Sequence, residues 1–112
     1  MKPDIKICGL KTPEALERAV RRGASHVGFI FFEKSPRHIE PDLAGELAKG
    51  ARGAAKVVAV TVNADNDYLD EIVDLVRPDI LQLHGNESPE RLLNVKVLYG
   101  LPVMKAISIR DA

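Results

Sequence analysis

The sequence has a single cysteine, no surplus of either charge and no long apolar run, and each lack excludes something. With Cys8 alone, no internal disulfide can form, which fits a reducing compartment. Sixteen basic side chains balance sixteen acidic ones. That balance gives no support for a nucleic-acid partner or an anionic membrane surface, since either favours a basic excess. The longest apolar stretches, such as Val27 to Phe32, fall far short of the roughly 20 residues that span a bilayer. The start, MKPDIKICGL, lacks the apolar core of a signal peptide. No Gly-rich phosphate loop is present. The expectation is a cytoplasmic protein with neither a nucleic-acid nor a membrane partner. Its 112 residues, 46% hydrophobic and 29% charged, suit one modest globular domain.

What is there is an alternation. Ile5-Lys6-Ile7-Cys8 reads as a short strand ended by Gly9. Thr12 is a good N-cap and Pro13 suits the first helical position, so a helix runs to about Arg22. His26 to Phe32 is β-branched and aromatic, hence a strand. The polar loop Glu33 to His38 follows, and Pro41 opens a second helix that ends near Gly50. Val57 to Val62 reads as a third strand. Asn63-Ala64-Asp65-Asn66 is turn chemistry, with the Asn63 side chain suited to capping the loop. Asp67 to Val76 reads as a third helix closed by Arg77-Pro78. Ile80 to Leu83 is a fourth strand. Ser88-Pro89 repeats the cap-then-proline signal and opens a helix to about Tyr99, with Val95 and Val97 weakening its second half. Val103 to Ile109 is a fifth strand.

Strict β-α alternation with short connections implies parallel strands and right-handed crossovers. Two architectures satisfy this. One is an open doubly wound sheet with strand order 2-1-3-4-5, as in flavodoxin-like binding modules. The other is a (βα)8 TIM barrel, of which five strands and four helices are present, so that residues 1–112 form the N-terminal part of one barrel domain. The barrel reading is favoured because polar residues sit at the C-terminal ends of strands: Cys8, Asn63, His84 and Ser108. Strand parity also groups Lys6 with Cys8, and Gln82 with His84, on one side each. Phe29, Phe31 and Phe32 are expected in the core. His26, at the opposite end, is expected to be structural.

Taken in order, Lys6-Ile7-Cys8-Gly9-Leu10, Gly28-Phe29-Ile30-Phe31, Lys34-Ser35-Pro36-Arg37, Val60-Thr61-Val62-Asn63, Gln82-Leu83-His84-Gly85 and Lys105-Ala106 resemble the strand signatures of phosphoribosylanthranilate isomerases. The resemblance implies an Amadori rearrangement of a phosphorylated aminosugar in tryptophan biosynthesis, with no metal or organic cofactor. It implies that Cys8 is the proton-abstracting base. It implies that Arg37 grips the anthranilate carboxylate, for which a guanidinium fork is well shaped. Gln82 and His84 are expected to line the substrate site, and Lys105 needs either the mouth or an acidic partner for its amine. His38 and Lys34 are taken as loop residues. The rival within enzymes is another phosphate-binding barrel of amino-acid biosynthesis, which lacks the strand-one cysteine.

The family's general acid lies after strand six and its phosphate loops after strands seven and eight, and this sequence has no counterpart to either. Asp111 is not assigned the acid's role. The segment alone is therefore expected to turn over little or no substrate. Five strands left open carry unpaired edges, which calls for a further C-terminal segment or for self-association. Lys6, on the same side of its strand as Cys8, is positioned to favour a thiolate. We predict that Lys6→Met raises the pH at which Cys8 titrates, measured by the pH dependence of thiol alkylation; an unmoved titration removes Lys6 from that role.

Overall fold

The computed structural model describes residues 6–105. Its elements alternate as β1 (Lys6–Cys8), α1 (Pro13–Arg21), β2 (His26–Phe31), α2 (Pro41–Lys49), β3 (Lys56–Thr61), α3 (Asn66–Val76), β4 (Ile80–Leu83), α4 (Pro89–Tyr99) and β5 (Val103–Lys105). All pairings are parallel, and the sheet runs in the sequential order β1-β2-β3-β4-β5. The doubly wound order 2-1-3-4-5 is therefore excluded. Ile5, Ala106, the stretch through Ser108 and Ile109 assigned to the fifth strand, and Asp111 lie outside the described residues.

The helix starts are set by local chemistry. Thr12, Asp65 and Ser88 each accept a hydrogen bond from the backbone N–H three residues on, at Ala15, Tyr68 and Arg91. Each thus satisfies one otherwise orphaned donor. α2 begins without a side-chain cap after Glu40, relying on Pro41 at its first position. α3 ends at Arg77, which takes a left-handed conformation (φ 52°) just before Pro78. The guanidinium of Arg52 donates to the carbonyls of Val76 and Arg77 at 2.6 and 3.1 Å, covering that helix end. α4 stays helical to Tyr99 despite its valines, because Val95 is fully buried against the sheet. Tertiary packing here outweighs propensity. Tyr99 in turn donates to Asp70 of α3 at 2.5 Å. Burial first, then Asp70, pushes its phenol up to about 12, so it remains a donor.

Parity divides the sheet into two faces. Val27, Phe29 and Phe31 of β2, Val57 and Ala59 of β3, and Leu81 and Leu83 of β4 form the buried core with Leu16, Ala44, Leu47, Leu69, Ile72, Val76 and Val95 of the helices. The expected core places of Phe29 and Phe31 hold, while Phe32 is half-buried just beyond the strand. The alternate residues form the other face in register: Lys6, His26 and Lys56; then Cys8, Gly28, Val58 and Ile80; then Ile30, Val60, Gln82 and Met104.

That second face is concave. The Lys6 amine donates to the Gln82 side-chain oxygen. In a flat sheet, three strands and four residues of register would hold those positions about 19 Å apart, beyond the reach of both side chains. The sheet must curl. The offset also matches a barrel of shear eight, whose layers climb about one residue per strand.

At the C-terminal end of the strands, one buried carboxylate ties three segments together. Glu87, 5% exposed, accepts from the backbone N–H of Asn63 (2.8 Å) and of Gly85 (2.8 Å). Lys105 of β5 pairs with it at 3.3 Å and also donates to the Gly85 carbonyl. Asn63, itself left-handed at φ 50°, accepts from the Asn86 N–H through its side chain, so the expected loop cap is present. Burial alone would push the Glu87 carboxyl up; the amides of Glu87, Asn63 and Gly85, with Lys105, outweigh it and hold it below the ordinary value.

The fold thus favours charged Glu87. Its contribution is full above the ordinary carboxylate range and fades as pH falls through the lowered folded value, below 4.5. Glu87→Gln is expected to cost about 1–3 kcal/mol at neutral pH, with the gap to the parent closing in acid. Thermal unfolding followed by circular dichroism across pH checks this; a gap that persists unchanged in acid shows that the charge contributes nothing.

Candidate active site

The second face of the sheet carries the residues singled out from the sequence. Cys8 closes β1 and lies in register with Gly28. Its neighbour Ile7 packs toward the helices, against the core cluster. Cys8 consequently projects to the concave side, half-buried and free of any disulfide. Its sulfur rests against Gly28, where a Cβ would come within 2.6 Å of it. The thiol is not sealed beneath helices.

Arg37 reaches the same place from the loop after β2. That loop is short and internally braced. Ser35 accepts from the Arg37 N–H through its hydroxyl (3.1 Å), and its carbonyl accepts from the His38 N–H (3.1 Å). The chain then runs alongside β2, with Ile39 N–H donating to the Ile30 carbonyl at 3.0 Å. This carries the aliphatic stem of Arg37 across Gly9, where a Cβ would lie 2.5 Å from Arg37 Cδ. Gly9 holds φ +82° and donates its N–H to the Gly28 carbonyl at 2.9 Å. Thiol and guanidinium stem are thus seated on adjoining glycines. Among the described residues, no acidic side chain pairs with Arg37, which leaves its charge available to an anionic group.

Lys6 and Gln82 are joined directly, across the concave face. Parity correctly placed Lys6 on the side of Cys8, but its recorded partner is Gln82, not the thiol. His84 stands exposed at the tip of β4, its N–H donating to the Thr61 carbonyl at 2.8 Å. Among the described residues its imidazole touches neither Cys8 nor Arg37 by hydrogen bond. Lys105 found an acidic partner in Glu87 rather than a place in the mouth. His38 is more than a loop residue in placement, since its ring bonds Glu40 at 2.6 Å and is mostly buried. His26 bonds Ser25 at the opposite end of the sheet, as a structural group would.

Glu87 went unrecognised in the sequence, and Gly9 and Gly28 entered only as a strand end and as members of the family signatures. The signal for Glu87 was indirect: an amine on β5 among apolar neighbours needs an acid. The closeness of the glycines to the Cys8 sulfur and the Arg37 stem emerged only from the fold.

Among the described residues, no group of His, Cys, Asp and Glu side chains could hold a metal ion. Nor, among those residues, is any helix long and apolar enough to cross a membrane. Two concavities among the described residues lie away from Cys8. One of about 470 Å³ sits at the N-terminal rim around Arg52, Lys56 and Asp79. Another of about 480 Å³ is an apolar groove between α1 and α2. We take the Cys8 side as the site because it holds a nucleophilic group and a guanidinium that pairs with no acidic side chain among the described residues, at the C-terminal strand ends where barrel sites are built.

Residues 5–112 match the family model described as N-(5'phosphoribosyl)anthranilate (PRA) isomerase. The chain is 90% identical, over its whole length, to the N-(5'-phosphoribosyl)anthranilate isomerase of Agrobacterium fabrum, covering 51% of that protein. It is 78% identical to that of Rhizobium rhizogenes, covering 50%. The chain thus spans about half the length of the curated relatives it matches. The crystal structure of the Thermotoga maritima phosphoribosylanthranilate isomerase superposes with a TM-score of 0.86 at 31% identity, over 96% of this chain and 52% of that one. A phosphoribosylanthranilate isomerase crystallised in complex with reduced 1-(o-carboxyphenylamino)-1-deoxyribulose 5-phosphate also gives 0.86 at 31% identity, over 98% and 56%. Five sequential parallel strands, four covering helices and these neighbours together establish a partial (βα)8 fold, and the chain belongs to the phosphoribosylanthranilate isomerase family.

Proposed function

We propose that this chain supplies the base and the carboxylate clamp of an enzyme that rearranges N-(5-phosphoribosyl)anthranilate to 1-(2-carboxyphenylamino)-1-deoxyribulose 5-phosphate, in tryptophan biosynthesis. The observation that carries this reading is the seating of Cys8 on Gly28 beside Arg37 on Gly9. The reaction begins when an acid protonates the ribose ring oxygen and the ring opens to a Schiff base. Cys8, as thiolate, takes the proton from the adjacent sugar carbon, and the enolamine relaxes to the ketone. Such a step needs a base placed within reach of one carbon and a substrate that cannot rotate. Arg37, unpaired and at the mouth, supplies the second requirement by gripping the anthranilate carboxylate. Gln82 and His84 line the sugar side, and Lys6 holds Gln82 in place through its amine.

The acid and the phosphate grip belong to strands beyond those described, so residues 1–112 are read as the N-terminal part of a single (βα)8 domain. The exposed apolar side chains of α4, Leu93, Val97 and Leu98, with Met104 of β5, support that reading, since a closed barrel would cover them.

We expect Cys8→Ser, in this chain completed with the C-terminal half of the Agrobacterium fabrum relative, to lower kcat by at least about a hundredfold while substrate still binds. The measurement is the formation of the ketose product, with binding followed separately by anthranilate fluorescence. Undiminished turnover removes Cys8 from the mechanism.

A further inference from the structure

The two glycines under the site do something beyond backbone geometry: Gly28 has no left-handed φ to explain it, and Gly9, whose φ of +82° already favours glycine, also leaves room for a neighbouring side chain. Gly28 lies inside β2 with ordinary extended neighbours, in register with Cys8 on one side and Val58 on the other. A Cβ there would stand 2.6 Å from the Cys8 sulfur and 3.4 Å from Cys8 Cα. The strand itself gains nothing from glycine, which weakens strand interiors. At Gly9, a Cβ would stand 2.5 Å from Arg37 Cδ and 3.3 Å from Cγ. In both cases the obstructed atom belongs to a side chain that can rotate. The least costly relief is to swing the thiol, or the guanidinium stem, out of its present place.

We propose that Gly9 and Gly28 are positioning residues: their missing side chains form adjoining seats that hold the Cys8 thiol on the concave face and lead Arg37 to the same mouth. This rests on the reading of Cys8 as base and Arg37 as clamp. The two seats adjoin, the Gly9 N–H donating to the Gly28 carbonyl at 2.9 Å. A base displaced by an ångström loses rate far more than it loses affinity. A displaced carboxylate clamp loses affinity first. The two glycines are therefore separable by kinetics.

A control is built into the chain. Gly23 has φ +84°, nearly that of Gly9, but a Cβ there meets nothing within 4 Å. Gly23→Ala carries the backbone strain of a left-handed residue without any obstruction.

The test uses this chain completed with the C-terminal half of the Agrobacterium fabrum relative. Gly28→Ala is expected to lower kcat at least about tenfold with KM within about threefold of the parent. The alkylation rate of Cys8, followed on its own peptide by mass spectrometry, should change by at least about threefold, because thiol access and environment set that rate. Gly9→Ala should raise KM at least about fivefold beyond Gly23→Ala. A Gly28→Ala variant with kcat and alkylation rate both within about twofold of the parent overturns the proposal.

A melting cycle keeps the question open to refutation if Gly28→Ala folds poorly. Gly28→Ala should lower the thermal midpoint markedly when the thiol is present and much less in a Cys8→Ala background, where the methyl meets no sulfur. Equal shifts in both backgrounds overturn the seat. Cys8→Ser separates this from the functional reading. If Cys8→Ser keeps full turnover, the assignment of the base fails, and the melting cycle still judges the seat. If Cys8→Ser abolishes turnover while Gly28→Ala is silent in every readout, the seat alone fails.

Discussion

The burial of one face of the sheet under four helices fixes everything at the other face. Val27, Phe29, Phe31, Val57, Ala59, Leu81 and Leu83 are at most 2% exposed, and all project the same way. Side chains on a strand alternate, so committing these residues to the helices commits Cys8, Gly28, Val60 and Gln82 to the concave side. A slip of one residue in β1 would drive the thiol beneath α1 and turn Ile7 into the lumen. The chemistry is therefore protected by hydrophobic energy spent elsewhere. Truncating a buried phenylalanine of this kind costs about 3–5 kcal/mol, a large share of the stability of a small domain.

The rim obeys a different rule. The β3–α3 and β4–α4 connections are tied to each other by a buried charge. Glu87 gathers two backbone N–H donors and one ammonium, enough to keep a carboxylate ionised although it is almost out of water. An unpaired charge in that place would be costly. The arrangement also links β5 to the loop that bears His84, through the Lys105 contact with Gly85. Asn63 completes it from a left-handed conformation that asparagine tolerates better than most residues.

Local features were legible in the sequence because they depend on few residues. Thr12 and Ser88 cap as their residue types demand, and Pro13, Pro41 and Pro89 stand where their rings are harmless. Strand ends moved by a single residue: β3 runs from Lys56 to Thr61 rather than Val57 to Val62, since pairing with β2 begins at His26 opposite Lys56. The weak second half of α4 resolved as helix only because Val95 found the core, a long-range fact. Long-range facts account for the other surprises too. Parity gives the side on which Lys6 emerges but not Gln82 as its partner, because that contact exists only once the sheet has curled. Glu87 looks like a solvated loop acid beside Ser88-Pro89 until β5 brings Lys105 to it.

The composition of the concave face bears on the proposal that a thiol is the base there. Along the Cys8 row the register neighbours are Gly28, Val58 and Ile80, none of which offers a hydrogen bond from its side chain. The polar pair Lys6–Gln82 bridges from the row below to the row above. A carboxylate base in such a band would be strongly desolvated and would need donors to stay charged, as Glu87 does at the rim. A thiol needs no such support in its neutral form, packing as a small apolar group. It becomes a base only on losing its proton. On the proposed reading, register neighbours that offer no side-chain hydrogen bond suit such a thiol, and the demand for charge falls on Arg37, which arrives from a loop and not from the sheet.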